Sequence, residues 1–151
     1  MKKIGLASDH AGFVLKEFIK NYIVQKGFSY KDFGTFTIES CDYPDYAHPL
    51  AEAVEIGKST EKQGVDLGIA LCGSGNGINM TLNKHQGIRA AICLNVEMTR
   101  LTRAHNDANI LVLPARFISQ EESEEIIDTF LSTPFEGERH QKRIEKIPIN
   151  K

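Results

Sequence analysis

Val65-Asp66-Leu67-Gly68-Ile69-Ala70-Leu71-Cys72-Gly73-Ser74-Gly75-Asn76-Gly77-Ile78 decides how this chain folds. Its first half is almost continuously apolar, the pattern of a strand covered on both faces. Three glycines in five residues then turn the backbone sharply, and an amphipathic stretch continues to about Lys84. The stretch reads as strand, glycine turn, helix.

The same alternation extends in both directions. Strands are expected at Ile4–Ala7, Phe28–Phe33, Ile88–Leu94 and Ala108–Leu113, besides Val65–Cys72. Helices are expected over about Ala11–Lys26, Tyr46–Lys58 and Glu97–His105. In the first, Leu15, Phe18, Ile19, Tyr22 and Ile23 share one face, and Gly27 supplies a stop. Ser119 with Glu122 makes a capping box for a helix to about Leu131, and Glu138–Lys146 also has a helical pattern. Alternating strands and helices predict an α/β fold. We expect a single Rossmann-like, doubly wound domain over residues 1–151: a five-stranded parallel sheet with helices on both faces. Such sheets bind ligands outside the carboxyl ends of their strands. That rule places Asp9, His10, the Gly34–Tyr43 loop and Cys72–Gly77 around one crevice.

Bulk properties narrow the function. The net charge of -2 gives no basic field for nucleic acid or an anionic membrane. No apolar run approaches the ~20 residues of a membrane span, and the amino terminus reads as a first strand rather than a signal peptide. Cys41, Cys72 and Cys93 cannot all pair and match no zinc spacing, so a reducing, cytoplasmic setting is expected. The five histidines form no i,i+4 pair or H-E-x-x-H motif, and neither metal nor cofactor is expected.

The glycine loop suits an oxyanion, because its N–H groups converge before a helix start. A dinucleotide loop is the rival, but Ile78 stands where the third glycine of G-x-G-x-x-G belongs. A purely structural turn is the other alternative. Cys72 sits where thiolates are favoured, and the Ser74 hydroxyl stands within reach of it. Cys41 and Cys93 read as core or loop residues. Asp9 either caps the first helix or serves a site with His10. His105 either ends its helix favourably or serves a site. Arg139 and Arg143, at i and i+4, either clamp a phosphate or form a solvated face. Arg116 is a further candidate anion ligand.

Together these pieces resemble the family of type B ribose-5-phosphate isomerases, which also contains the galactose-6-phosphate isomerase subunits. The matching residues are Ser8–Gly12, Gly34-Thr35, Asp42-Tyr43-Pro44, Cys72–Gly77, Asn83-Lys84, Gly87–Ala90, His105–Asn109 and Gly137–Arg143. They follow the family's order along nearly the whole chain. The resemblance implies that Cys72 is the catalytic base and His105 the acid/base that opens the sugar ring. Asp9 and Ser74 would assist at the reacting atoms. Asp9, His10, Tyr43, Gly73, Ser74, Gly75, Asn76, Gly77, Asn106, Arg116, Arg139 and Arg143 would contact the sugar phosphate. Ser74 stands where many members carry threonine, and it keeps the hydroxyl. The segment Glu55–Gly64 is somewhat longer than expected and is assigned to the surface without a role. The implied reaction interconverts ribose 5-phosphate and ribulose 5-phosphate. A hexose 6-phosphate isomerase, of allose or galactose, and a non-catalytic sugar-phosphate sensor are the alternatives.

One geometric expectation is independent of the resemblance. The Glu97–His105 helix starts near the carboxyl end of the strand before it and runs back roughly 13 Å. His105 should therefore emerge at the far edge of the sheet from Cys72. A homodimer with shared sites is expected, with a tetramer of such dimers as the larger alternative.

Overall fold

The computed structural model describes residues 1–57 and 63–149. The strands are β1 (Lys3–Ser8), β2 (Ser29–Asp32), β3 (Leu67–Cys72), β4 (Ala90–Ile92) and β5 (Ile110–Pro114). The helices are α1 (Phe13–Gln25), α2 (Pro44–Ile56), α3 (Asn76–Leu82), α4 (Val96–Asn106), α5 (Gln120–Ser132) and α6 (Arg139–Ile144). The five strands form one parallel sheet in the order β2-β1-β3-β5-β4. The α/β fold expected from the alternating pattern is the one observed.

Every residue of central β3 is buried, which explains its unbroken apolar sequence. On one face, Leu15, Ile19 and Ile23 of α1 and Ile126, Ile127 and Phe130 of α5 cover Ile4, Leu6, Ile69 and Leu111. On the other, Leu50, Ala51 and Val54 of α2 and Ile78 and Leu82 of α3 cover Ala7, Ala70, Ile110 and Val112. Each fully buried aliphatic chain contributes about 1.5–3 kcal/mol. Helix α4 packs on α5 and α6.

Several boundaries differ from expectation for local reasons. A 3₁₀ turn over His10–Gly12 precedes α1, because the Asp9 carboxylate accepts from Ala11 N and Gly12 N and tightens the entry. β4 keeps only three of its expected residues. It is an edge strand, and its amino-terminal neighbour Arg89 gives its N–H to the Asn109 side chain at 2.8 Å. The expected end of helix 2 at Lys58 falls outside the described residues, as do residues 58–62 of the Glu55–Gly64 segment. The capping box is present: Glu122 N donates to Ser119 Oγ at 3.0 Å and Ser119 N to Glu122 Oε1 at 2.9 Å.

The strand order fixes where ligands can bind. β1 and β3 are neighbours, but the chain leaves β1 towards one edge and returns from β3 towards the other. Their carboxyl ends therefore open a crevice. Helix α4 runs from the carboxyl end of β4 back to the amino end of β5. His105, near its last residue, lies at the opposite end of the sheet from Cys72.

Candidate active site

A cleft of about 520 Å³ opens at the β1/β3 crevice, lined by Asp9, His10, Ala11, Tyr43, Cys72, Gly73, Ser74, Gly77, Arg116 and Phe117. Eight of the sequence-expected site residues meet there. Cys72 is the last residue of β3 and is 4% exposed. Its carbonyl accepts from Ala115 N at 2.9 Å, and the Gly73 carbonyl accepts from Arg116 N at 3.0 Å. The loop after β5 is thus fastened directly to the glycine loop. The N–H groups of Gly73 and Ser74 have no partner among the described residues, so both remain donors for a ligand oxygen.

The side chains around Cys72 are held by specific contacts. Asp9 uses one oxygen, Oδ1, for both backbone donors at 3.0 and 3.2 Å, which leaves Oδ2 for the cleft. Capping, one of the two readings posed by the sequence, is present, and it leaves the second carboxylate oxygen unused. His10 Nδ1 accepts from Cys41 N at 3.2 Å. In the neutral ring the proton then sits on Nε2. Ser74 Oγ accepts from Asn76 N at 3.3 Å. Its hydroxyl therefore shapes the turn, and no Ser74–Cys72 hydrogen bond forms. The expectation that Ser74 bonds the thiolate is corrected in this structure.

Two glycines lie in close approach to side chains that line the cleft. A Cβ on Gly77 would meet the Tyr43 ring, at 2.6 Å from its Oη and 2.8 Å from Cε1. A Cβ on Gly73 would meet the Arg116 guanidinium at 3.1 Å. These missing side chains let Tyr43 and Arg116 lie on the loop. Gly75, with φ of 80°, makes the left-handed turn into α3, and it and Asn76 lie behind the cleft lining.

The Gly34–Tyr43 loop is anchored by a buried ion pair that the sequence reading missed. Lys16 is fully buried, with Nζ 2.6 Å from Asp32 Oδ1, which also accepts from Gly34 N at 2.9 Å. Lys20 reaches Asp32 Oδ2 at 3.0 Å. Burial pushes the Asp32 carboxyl up, but hydrogen bonds from Lys16, Gly34 N and Lys20 outweigh it and hold it below its usual value. Burial lowers the Lys16 ammonium despite the same partner. The signal was present as a lysine on the apolar side of helix 1, beside Leu15 and Ile19. The Cys41 amide left no such signal, because a backbone donor leaves no trace in residue type.

The remaining expected residues do not reach this cleft. His105 stacks on His140, with ring centroids 4.2 Å apart and planes at 15°. Glu136 lies 3.8 Å from both Nε2 atoms. Arg139 and Arg143 are exposed on α6, and Asn106 borders a separate depression with Arg89 and Thr102. The His105–Asn109 corner is rigid. Asp107 takes the left-handed C-cap position, and its carboxylate accepts from Arg103 Nη1 at 2.8 Å. Arg89 Nε donates to the Asn106 and Asp107 carbonyls at 3.0 and 3.1 Å. Cys93 is 1% exposed, as expected, and burial raises its thiol pKa.

A family model described as Ribose/Galactose Isomerase matches residues 4–147. The chain belongs to that family. It is 42% identical over 147 residues to ribose-5-phosphate isomerase B of Escherichia coli (strain K12), covering 97% of this chain and 95% of that one. A crystal structure of a ribose 5-phosphate isomerase from Thermotoga maritima matches with a TM-score of 0.90 and 52% identity, covering 97% of both chains. The Mycoplasma genitalium ribose-5-phosphate isomerase B, solved with bound ribulose-5-phosphate, matches with a TM-score of 0.87 and 39% identity. That match covers 96% of this chain and 93% of the other. The family resemblance expected from the short motifs therefore holds along the chain. Among the described residues, no helix is long and apolar enough to cross a membrane.

Proposed function

We propose that this chain is a cytoplasmic ribose 5-phosphate isomerase that acts as one domain and needs no metal for its proton transfer. The observation that carries the reading is the Cys72 cleft: a buried thiol flanked by two unpartnered loop amides, an oriented carboxylate, a histidine and an arginine. The names of the E. coli and M. genitalium relatives supply the substrate.

The Cys72 thiolate removes the C2 proton of the open-chain aldose and returns it to C1. The electron pair left on C2 forms the C1=C2 bond while the C1=O1 pair moves onto O1, giving a 1,2-enediolate; a proton passes from O2 to O1, and C2=O2 then forms as C1 takes the returned proton. The Gly73 and Ser74 N–H groups face its oxygens, and Asp9 Oδ2 accepts from a sugar hydroxyl. Loss of one preorganised donor of this kind costs roughly 2.7–4 kcal/mol elsewhere. Gly75 and Asn76 act by fixing the loop.

His105 moves the proton between ring oxygen and O1 that opens the sugar, and it does so for a second copy of the chain. Its position at the far end of the sheet supports that arrangement, as does the exposure of Arg139 and Arg143 for a phosphate. Asn106 joins them. In a homodimer each cleft is completed by its neighbour's His105 and α6.

The test has three arms. Turnover is compared between ribose 5-phosphate and allose 6-phosphate, with pentose preference expected. Cys72→Ala should stop exchange of the C2 proton with solvent while substrate still binds; continued exchange removes Cys72 as the base. Cys72→Ala and His105→Ala subunits, mixed and exchanged, should recover part of the activity. No recovery rules out shared sites.

A further inference from the structure

We infer that His105, Glu136 and His140 form a binding site for a divalent transition cation of the zinc class, whose occupation inhibits the enzyme by withdrawing His105. The inhibitory half rests on the function proposed above; the binding half does not. The three side chains come from two distant segments, and their nitrogen and oxygen ligand atoms all lie within 4.8 Å of one another. Two imidazoles and one carboxylate are a donor set that suits zinc.

A second observation is independent of this proximity. His140 is 6% exposed, yet its Nε2 has no hydrogen-bond partner among the described residues. That nitrogen faces Glu136, which is too distant at 3.8 Å to bond it. Buried polar atoms are rarely left so.

The geometry requires modest movement. Ligand atoms around zinc lie roughly 3.3 Å apart, given bonds of about 2.0–2.1 Å. His140 is the fixed member. His105 and Glu136, with side chains 35% and 48% exposed, can swing towards it, His105 leaving the ring stack. A bound cation would then occupy the lone pair that His105 needs for proton transfer.

The test titrates cobalt(II) into the intact, chelator-treated protein. One equivalent should give visible ligand-field bands with no near-ultraviolet sulfur-to-cobalt band, and zinc should displace it. Glu136→Gln and His140→Asn should each weaken binding at least about tenfold, since even outer partners of ligands cost that much. Glu136→Gln changes an exposed side chain and keeps the assay valid if His140→Asn fails to fold. His48→Ala should bind as wild type, because the exposed His48–His85 pair is the competing nitrogen site. Absent bands, a sulfur band, unchanged affinity in Glu136→Gln, or loss in His48→Ala would each overturn the site. Zinc should slow sugar isomerisation, with Glu136→Gln at least about tenfold more resistant. Binding without slowing overturns the inhibitory half. A protein with no turnover at all would defeat the isomerase reading, while the cobalt spectrum would still decide the site.

Discussion

Replacing Gly77 with alanine tests how the cleft is built without altering any polar group. Gly77 has no positive φ, so alanine is allowed by the backbone. The whole effect must come from the new methyl, which would stand 2.6 Å from Tyr43 Oη and 2.8 Å from Cε1. Carbon contacts settle near 3.5–4.0 Å, so the ring must retreat by roughly 1 Å. Tyr43 is only half-buried at the start of α2, and it can swing without dragging the core. Unfolding free energy should therefore change little. A misplacement of about 1 Å at a positioning group costs about 10²-fold in rate, or about 2.7 kcal/mol. The assay is kcat/KM for ribose 5-phosphate, run on Gly77→Ala, Tyr43→Ala and the double variant. If the glycine acts through the tyrosine, the double variant is no worse than Tyr43→Ala alone. Fully additive losses, or near-wild-type activity in Gly77→Ala, would refute the reasoning.

Other outcomes follow from contacts described above. Asp32→Asn removes the near counter-charge of the fully buried Lys16, 2.6 Å away, and leaves it Glu17 at 4.0 Å; it should cost up to about 3–5 kcal/mol in urea unfolding at pH 7. Because the folded Asp32 carboxyl titrates below its unfolded value, its stabilisation is full above the unfolded value and is lost as pH falls through the folded one. The gap between wild type and Asp32→Asn should accordingly narrow when the unfolding is repeated near pH 3. Asp107→Ala removes the contacts to Arg103 and Arg89 from a residue at φ 46°. We expect about 1–3 kcal/mol of destabilisation, and Asp107→Gly should recover part of it by relieving the backbone. Ser119→Ala breaks the capping box of α5 and should cost about 1 kcal/mol by thermal unfolding.

The residues themselves explain what the sequence could disclose. β3 was legible because burial on both faces leaves no polar position, and the glycine turn after it needs no long-range partner to be recognised. Asp9, His10 and Cys72 were legible as a group because they lie at the ends of parallel strands, and parallel strands put their carboxyl ends together; Arg116 stood apart, as a further candidate anion ligand. Lys16 left a signal as a lysine on the apolar side of its helix, but its ion pair left none, since Asp32 arrives from β2. The meeting of His105 with Glu136 and His140 was equally hidden. It depends on how α6 packs on α4, and no spacing within either segment encodes that. The expected Ser74–Cys72 bond is absent, and Ser74 Oγ instead accepts from the Asn76 amide two residues on.

The strand order also bears on how the chain is made. Within the sheet β4 pairs with β5 alone, yet β5 is synthesised after it. A growing chain therefore carries β4 past its place in the sheet and must wait for β5 to be inserted between β3 and β4. The same late segment delivers Ala115 and Arg116, whose amides fasten the carbonyls of Cys72 and Gly73. Cys72 is translated near the middle of the chain but is not enclosed until residues beyond 114 have emerged. During that interval on the ribosome Cys72 lacks the fastening that the loop after β5 supplies in the folded chain.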